Sequence, residues 1–199
     1  MILYGAGPFL LKVYRTALAV GASPVAYFTE SIEETPLLPI PCLGSYDPGA
    51  YPEEKIFLAF LDNTIRRNLS RRLRHPLAEP LIHPSARVEA SAKIGAGAFV
   101  GPNVQIGAGA TIAPLVIIEE EAHIEAGVQI AEGAYIGPYA QIEAAVQIGP
   151  YVYLGAGASL TPMTPAQALS IGEGSLIGAH ARIQTPCPPF CWVPPAKAW

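Results

Sequence analysis

From Ile82 to Leu160 every sixth residue is aliphatic without a break: Ile82, Val88, Ile94, Val100, Ile106, Ile112, Ile118, Ile124, Ile130, Ile136, Ile142, Ile148, Leu154 and Leu160. Four residues after each, from Ala86 to Ala158, stands only Ala or Val, while Gly, Ala, Glu and Pro crowd the two places that follow the aliphatic one. Neither the helical period of about 3.6 nor the strand period of about 2 gives this spacing. It predicts a parallel β-helix, in which each six-residue unit is a short strand and a corner. Three units close a triangular coil, so residues about 18 apart stack about 4.8 Å from one another as in a parallel sheet. The aliphatic residues face inward in columns, the small ones let the chain turn, and glycine tolerates the φ values a corner can demand.

The repeat divides the chain. Residues 1–81 precede it, residues 82–185 form the β-helix with a loop at 161–170 where the register slips, and the Pro-rich tail 186–199 is suited to cap the open end. The first segment reads as strands alternating with helices: strands in Met1–Tyr4, Pro24–Phe28 and Ile56–Leu61, helices in Phe9–Val20 and Thr64–Arg74. That order predicts a small Rossmann-like α/β domain with a parallel sheet, whose ligands belong at the carboxyl ends of its strands. Gly5-Ala6-Gly7 lies there, beside a helix N-terminus, and reads either as a phosphate-holding turn or as a purely structural one. Asp62-Asn63, at the end of the third strand, is a second candidate for substrate contact.

Composition excludes several classes. The chain has 199 residues, 51% hydrophobic and 14% charged, which is ample for a packed core, and its net charge of −4 argues against a nucleic-acid or anionic-membrane partner. Arg66, Arg67, Arg71, Arg72 and Arg74 form one basic run, read as a solvated helix face or a phosphate-facing surface. Cys42, Cys187 and Cys191 make no disulfide framework, and no histidine set completes a zinc site, so no metal is expected. With neither a basic leader nor an apolar span of membrane length, the expectation is a cytoplasmic protein. Phe99, Ile117, Tyr135 and Tyr153 recur on one outer wall, a stripe that reads as buried between subunits. Glu119, Glu120, Glu121, Glu125, Glu132 and Glu143 read as an acidic cluster that is either solvated or meets a cation or amine.

Four stretches resemble the bacterial nucleotide-sugar and sialic-acid acetyltransferases of the left-handed β-helix class: the opening strand with Gly5-Ala6-Gly7, the run Ala59 to Arg66, the β-helix entry Leu81 to Ala86, and Pro195-Ala196-Lys197. The resemblance implies a left-handed coil, a homotrimer, acetyl-CoA along the β-helix between subunits, and a nucleotide-linked sugar held partly by the first domain. It implies substrate contacts at Gly5, Gly7, Asp62 and Asn63, and coenzyme contacts at Gly155, Ala156, Ala179 and Lys197.

The family's chemistry uses a histidine general base with an adjacent carboxylate, a pair suited to removing a proton near neutral pH. Aligned on that motif, Glu125 stands at an acid position but Ala126 at the base, and an asparagine of the preceding unit falls on Glu119. His123, one strand residue before Ile124, is the nearest substitute base, or else a solvated or interface histidine. His75, His83 and His180 read as structural. Two functions follow: an acetyl-CoA-dependent acetyltransferase, favoured by Glu125 and Lys197, or a catalytically inactive trimeric binding or scaffold protein, favoured by Ala126.

Overall fold

The computed structural model describes residues 1–30, 37–164 and 168–196. The first domain carries β1 (Ile2–Gly5), α1 (Gly7–Ala19), β2 (Ala26–Phe28), β3 (Ile56–Ala59) and α2 (Asn63–Ser70). Its strands are parallel in the order β2-β1-β3, and every strand residue is buried. Because β1 is central, the chain leaves it to one side for β2 and reaches β3 on the other, which opens a crevice at the carboxyl ends of β1 and β3. Gly5 is required at that point: a Cβ there would lie 2.4 Å from the carbonyl oxygen of Ala59 on β3. Gly7 enters α1 at φ +64°, and Pro8 occupies the first turn, where its missing N–H costs nothing.

The repeat folds as its period requires. Three flat walls of parallel two- or three-residue strands stack with coil-to-coil pairs such as Ile117↔Tyr135, His123↔Gln141 and Gln129↔Gln147. The inward residues Val100, Ile106, Ile112 and their successors through Ile177 form one buried cluster with the small residues at the fourth place. Backbone N–H groups bond to the carbonyl of the next coil, as in Gly101 to Ile118 and Glu119 to Ile136 at 2.8 and 2.9 Å. At the C-terminal end Trp192–Val193 adds a last strand to the first wall, with Cys187 and Cys191 half-buried beneath the core. The Pro-rich tail thus continues the coil for one more turn over the open end.

The aromatic wall differs from expectation. Phe99, Ile117 and Tyr135 are buried not between subunits but under this chain's own first domain, with Leu3, Phe9, Leu10 and Val13 packed over them. The Phe9 ring meets Phe99 edge-on at 5.2 Å between centroids. A three-stranded domain with so small an interior needs this second apolar surface to fold against. Tyr153 stacks on Tyr135 at 4.7 Å and emerges at the edge of the footprint.

Arg66 fastens the joint, so the basic run is not a uniformly solvated face. It is 1% exposed and donates to the carbonyls of Phe60 and Leu61 (both 2.7 Å), to Asn63 Oδ1 (2.8 Å) and to Gly133 O on the β-helix (2.7 Å). Asn63 Nδ2 donates to Tyr151 O and Val152 O, both at 3.0 Å. Burial pushes the guanidinium down to about 10, still charged at neutral pH. Carbonyls that lose a buried donor cost about 1–3 kcal/mol each. Arg66→Met should therefore lower unfolding stability by about 3 kcal/mol or more, read as a fall in the urea midpoint, whereas Arg72→Met on the exposed face should leave it within about 0.5 kcal/mol.

Candidate functional site

The crevice at β1 and β3 continues along α1 as a cleft of about 580 Å³, its far wall made by β-helix corners. Pro8, Phe9, Lys12 and Arg15 line it from α1, Leu61 from beyond β3, and His83, Pro102 and Glu119 from three successive coils. Phe9, Leu10, Val13, Thr16 and Ala17 form the buried face of α1, and Lys12 lies at its margin, directed at the β-helix. There its ammonium group donates to both Glu119 and Glu120.

The charges in this cluster are unequal. Glu119 is 5% exposed. Burial raises its pKa above the ordinary carboxylate value and the hydrogen bond with Glu120 adds to this, while Lys12 opposes it. Glu120 lies nearer the solvent. Burial works against its ionised form too, but hydrogen bonds from Lys12 and Glu119 prevail and hold it down at about 2. Lys12 is raised: desolvation lowers it, but the two carboxylates outweigh that. This triad escaped the sequence reading, which grouped six glutamates as one acidic set. They lie on three different corners: Glu121 accepts from Asn103, Glu132 from the Tyr151 hydroxyl, and Glu125 from the backbone N–H of Ala144. The available signal was Glu119 itself, in a column where neighbouring coils carry Gly101, Gly137 and Gly155.

A second recess, of about 480 Å³, lies on the next wall and its corner, lined by His123, Glu125, Gln141, Glu143, Ser159, Thr161 and Arg182. It holds His123 and Glu125, which the hexapeptide count set one side of the triangle apart, and Ala126 sits exposed on the corner beside them. A third, of about 460 Å³, separates α2 from the aromatic wall and is rimmed by Asp62, Asn63, Arg67, Tyr151, Tyr153 and Phe190. Arg67 stacks on the Tyr151 ring at 4.9 Å.

The other expected contacts have structural partners. Asp62 caps α2 by accepting from Thr64 N and Ile65 N at 2.7 and 2.9 Å, and Asn63 is engaged in the joint. Gly155 and Ala156 stack under Gly178 and Ala179 so closely that a Cβ on Gly155 would lie 2.5 Å from Ala179 N. Lys197 lies outside the described residues. His75 is buried, bonded to the Tyr46 hydroxyl at 2.9 Å, and His180 lies over Gly157. Among the described residues no three His, Cys, Asp or Glu side chains converge to hold a metal ion, and no helix is long and apolar enough to cross a membrane.

If Lys12 alone balances the buried carboxylate, Lys12→Met strands Glu119. An uncompensated buried charge costs about 3 kcal/mol or more when ionised. The sign follows from the raised pKa: Glu119 binds its proton more readily folded than unfolded, so the penalty is present at alkaline pH and relieved as pH falls through the folded value. Urea unfolding of Lys12→Met should show a larger deficit at pH 8 than at pH 5.

Residues 86–132 match the family described as hexapeptide repeat of succinyl-transferase, and residues 127–162 match bacterial transferase hexapeptide (six repeats). No curated protein matches by sequence comparison. Among solved structures, PerB of Caulobacter crescentus, in complex with CoA and GDP-perosamine, is 25% identical with a TM-score of 0.87, over 97% of this chain and 93% of that one. The acetyltransferase domain of PglB from Neisseria gonorrhoeae, in complex with acetyl coenzyme A, is 25% identical with a TM-score of 0.85, over 100% and 98%. WeeI of Acinetobacter baumannii shares the fold at 20% identity and a TM-score of 0.82, over 96% and 94%. Across both its parts, the α/β domain and the left-handed parallel β-helix, the chain resembles the bacterial nucleotide-sugar acetyltransferases.

Proposed function

We propose that this chain is an acetyl-CoA-dependent acetyltransferase whose acceptor is an amine or hydroxyl of a nucleotide-linked or cell-surface sugar. One observation carries the reading: the likeness to sugar N-acetyltransferases runs through the α/β domain as well as the coil. A β-helix alone would suit many functions, but the added domain narrows them, because it builds the cleft along α1.

The residues fit both substrates. On the late corners Gly155, Ala156, Gly178 and Ala179 carry nothing larger than a methyl group, a bare strip suited to a linear pantetheine chain, with His180 and Arg182 near it as donors for phosphate. Acetyl-CoA is the co-substrate and supplies an activated thioester. Arg15 and His83 line the cleft and offer donors to the anionic nucleotide, Lys12 being already matched by Glu119 and Glu120, and Gly5 and Gly7 form the turn from β1 into α1 beside it. Asp62 and Asn63 serve it by fixing α2 and the joint. His123 and Glu125 contribute a polar groove on the adjoining wall. The functional unit is a homotrimer in the cytoplasm, with the two uncovered walls, rich in Gln, Thr and Ser, turned towards neighbouring subunits.

Calorimetric titration tests this directly. Acetyl-CoA and, separately, UDP or GDP should bind with micromolar Kd, equivalent to about −8 kcal/mol. A folded protein giving no heat with any of the three overturns the enzyme reading and leaves a scaffold.

A further inference from the structure

The geometry points to Glu119 as the general base of the transfer, with Glu120 as the exit for the proton and Lys12 as the residue that positions both. This rests on the acetyl-transfer reading above and answers the question Ala126 raises, namely what accepts the acceptor's proton.

The first argument is that Glu119 breaks the rule of its column. At the same corner place a Cβ on Gly101 or Gly137 would lie 2.9 or 2.7 Å from the backbone of the next coil. The coils on either side of Glu119 therefore need glycine here, whereas Glu119, like His83 in the first coil, carries a side chain at this place. A buried ion pair is weak support for a fold, because an apolar replacement is often as stable. Local rules broken at a cost belong most often to working sites.

The second argument is placement. Glu119 lines the cleft with Arg15 and His83, and its carboxylate meets Lys12 from α1, Glu120 on its own corner and the field of Tyr135 on the next coil. Two carboxylates share one ammonium, so the cluster has room for one proton. Burial favours taking it up at Glu119, the member of the pair that faces the cleft. Glu120, hydrogen-bonded to Glu119 and partly exposed, connects that proton to solvent.

The step balances as follows. The acceptor nitrogen forms a bond to the acetyl carbonyl carbon, and its N–H proton passes to the Glu119 carboxylate. The C–S bond breaks, and its electron pair leaves on the coenzyme's sulfur, which is protonated from water. Glu119 then returns its proton through Glu120 to solvent.

Thiol release is measured with acetyl-CoA and GDP-perosamine or UDP-linked amino sugars, and carboxyl infrared spectra are recorded across pH 4–9 without any acceptor. Glu119→Gln should lower kcat by about 100-fold or more, with acetyl-CoA affinity unchanged by calorimetry. Glu119→Ala should regain turnover with added formate, a rescue that a structural role would not give. The infrared titration should show one carboxyl titrating above the ordinary glutamate range, absent in Glu119→Gln. A parental rate in Glu119→Gln, or a large loss in His123→Ala alone, overturns the assignment and moves the base to the adjoining groove. Failure to bind acetyl-CoA overturns the acetyl-transfer reading instead. Where no acceptor turns over, the infrared titration decides, and absence of the shifted carboxyl overturns Glu119.

Discussion

The stacking of each inward aliphatic residue on its equivalent one coil away governs the whole molecule. Val100, Ile118, Ile136, Leu154 and Ile177 form one such column, and the walls cannot shift register without exposing it. Because every coil hydrogen-bonds to its neighbours, the outward side chains are held in equally fixed columns, each wall with its own character. One wall is aromatic and carries the first domain; the others are polar. A cleft can form with defined walls because its far side is a stack of corners whose spacing the core dictates.

The first domain depends on that platform more than the reverse. Its sheet has only three strands, and its helix α1 buries Phe9 and Leu10 in one cluster that joins Leu3, Tyr27 and Phe57 of the sheet to Phe99 and Ile117 of the β-helix. Arg66 and Asn63 then supply donors to the carbonyls of Gly133, Tyr151 and Val152 on the adjoining corners, in keeping with the need of buried backbone groups for partners. The joint is thus polar at its edge and apolar at its centre, which fixes the angle at which α1 faces Glu119.

The fold was legible because its two periodicities are unambiguous: six residues for the coil, and strand alternating with helix ahead of it. The site was less so. Sequence spacing set His123 one side of the triangle from Glu125's corner, whereas the structure brings both to one groove. It could not reveal that Lys12, more than a hundred residues earlier, reaches Glu119, since nothing in a local pattern encodes a contact between a helix and a corner. The aromatic stripe was read correctly as covered but assigned the wrong cover, because hydrophobicity states that a surface is buried and not by what. Arg66 was misread with its basic neighbours for the same reason: charge sign is visible in the sequence, but burial is not.

The uniformity of the repeat makes its exceptions informative. Most departures have a packing reason: Tyr151 and Phe190 take left-handed φ at corners so that their rings lie over Gly133 and Gly174. Glu119 is a departure of another kind, a buried carboxylate that takes the Lys12 ammonium at the joint. It faces a cleft, draws a cation from another domain, and is coupled to a second carboxylate that reaches the solvent. A charged cluster arranged so that one member is buried and one exposed resolves the conflict between a dry reaction site and a proton that must leave it. In a chain where Ala126 stands at the place of the base implied by resemblance, that arrangement is what the proposed role of Glu119 rests on.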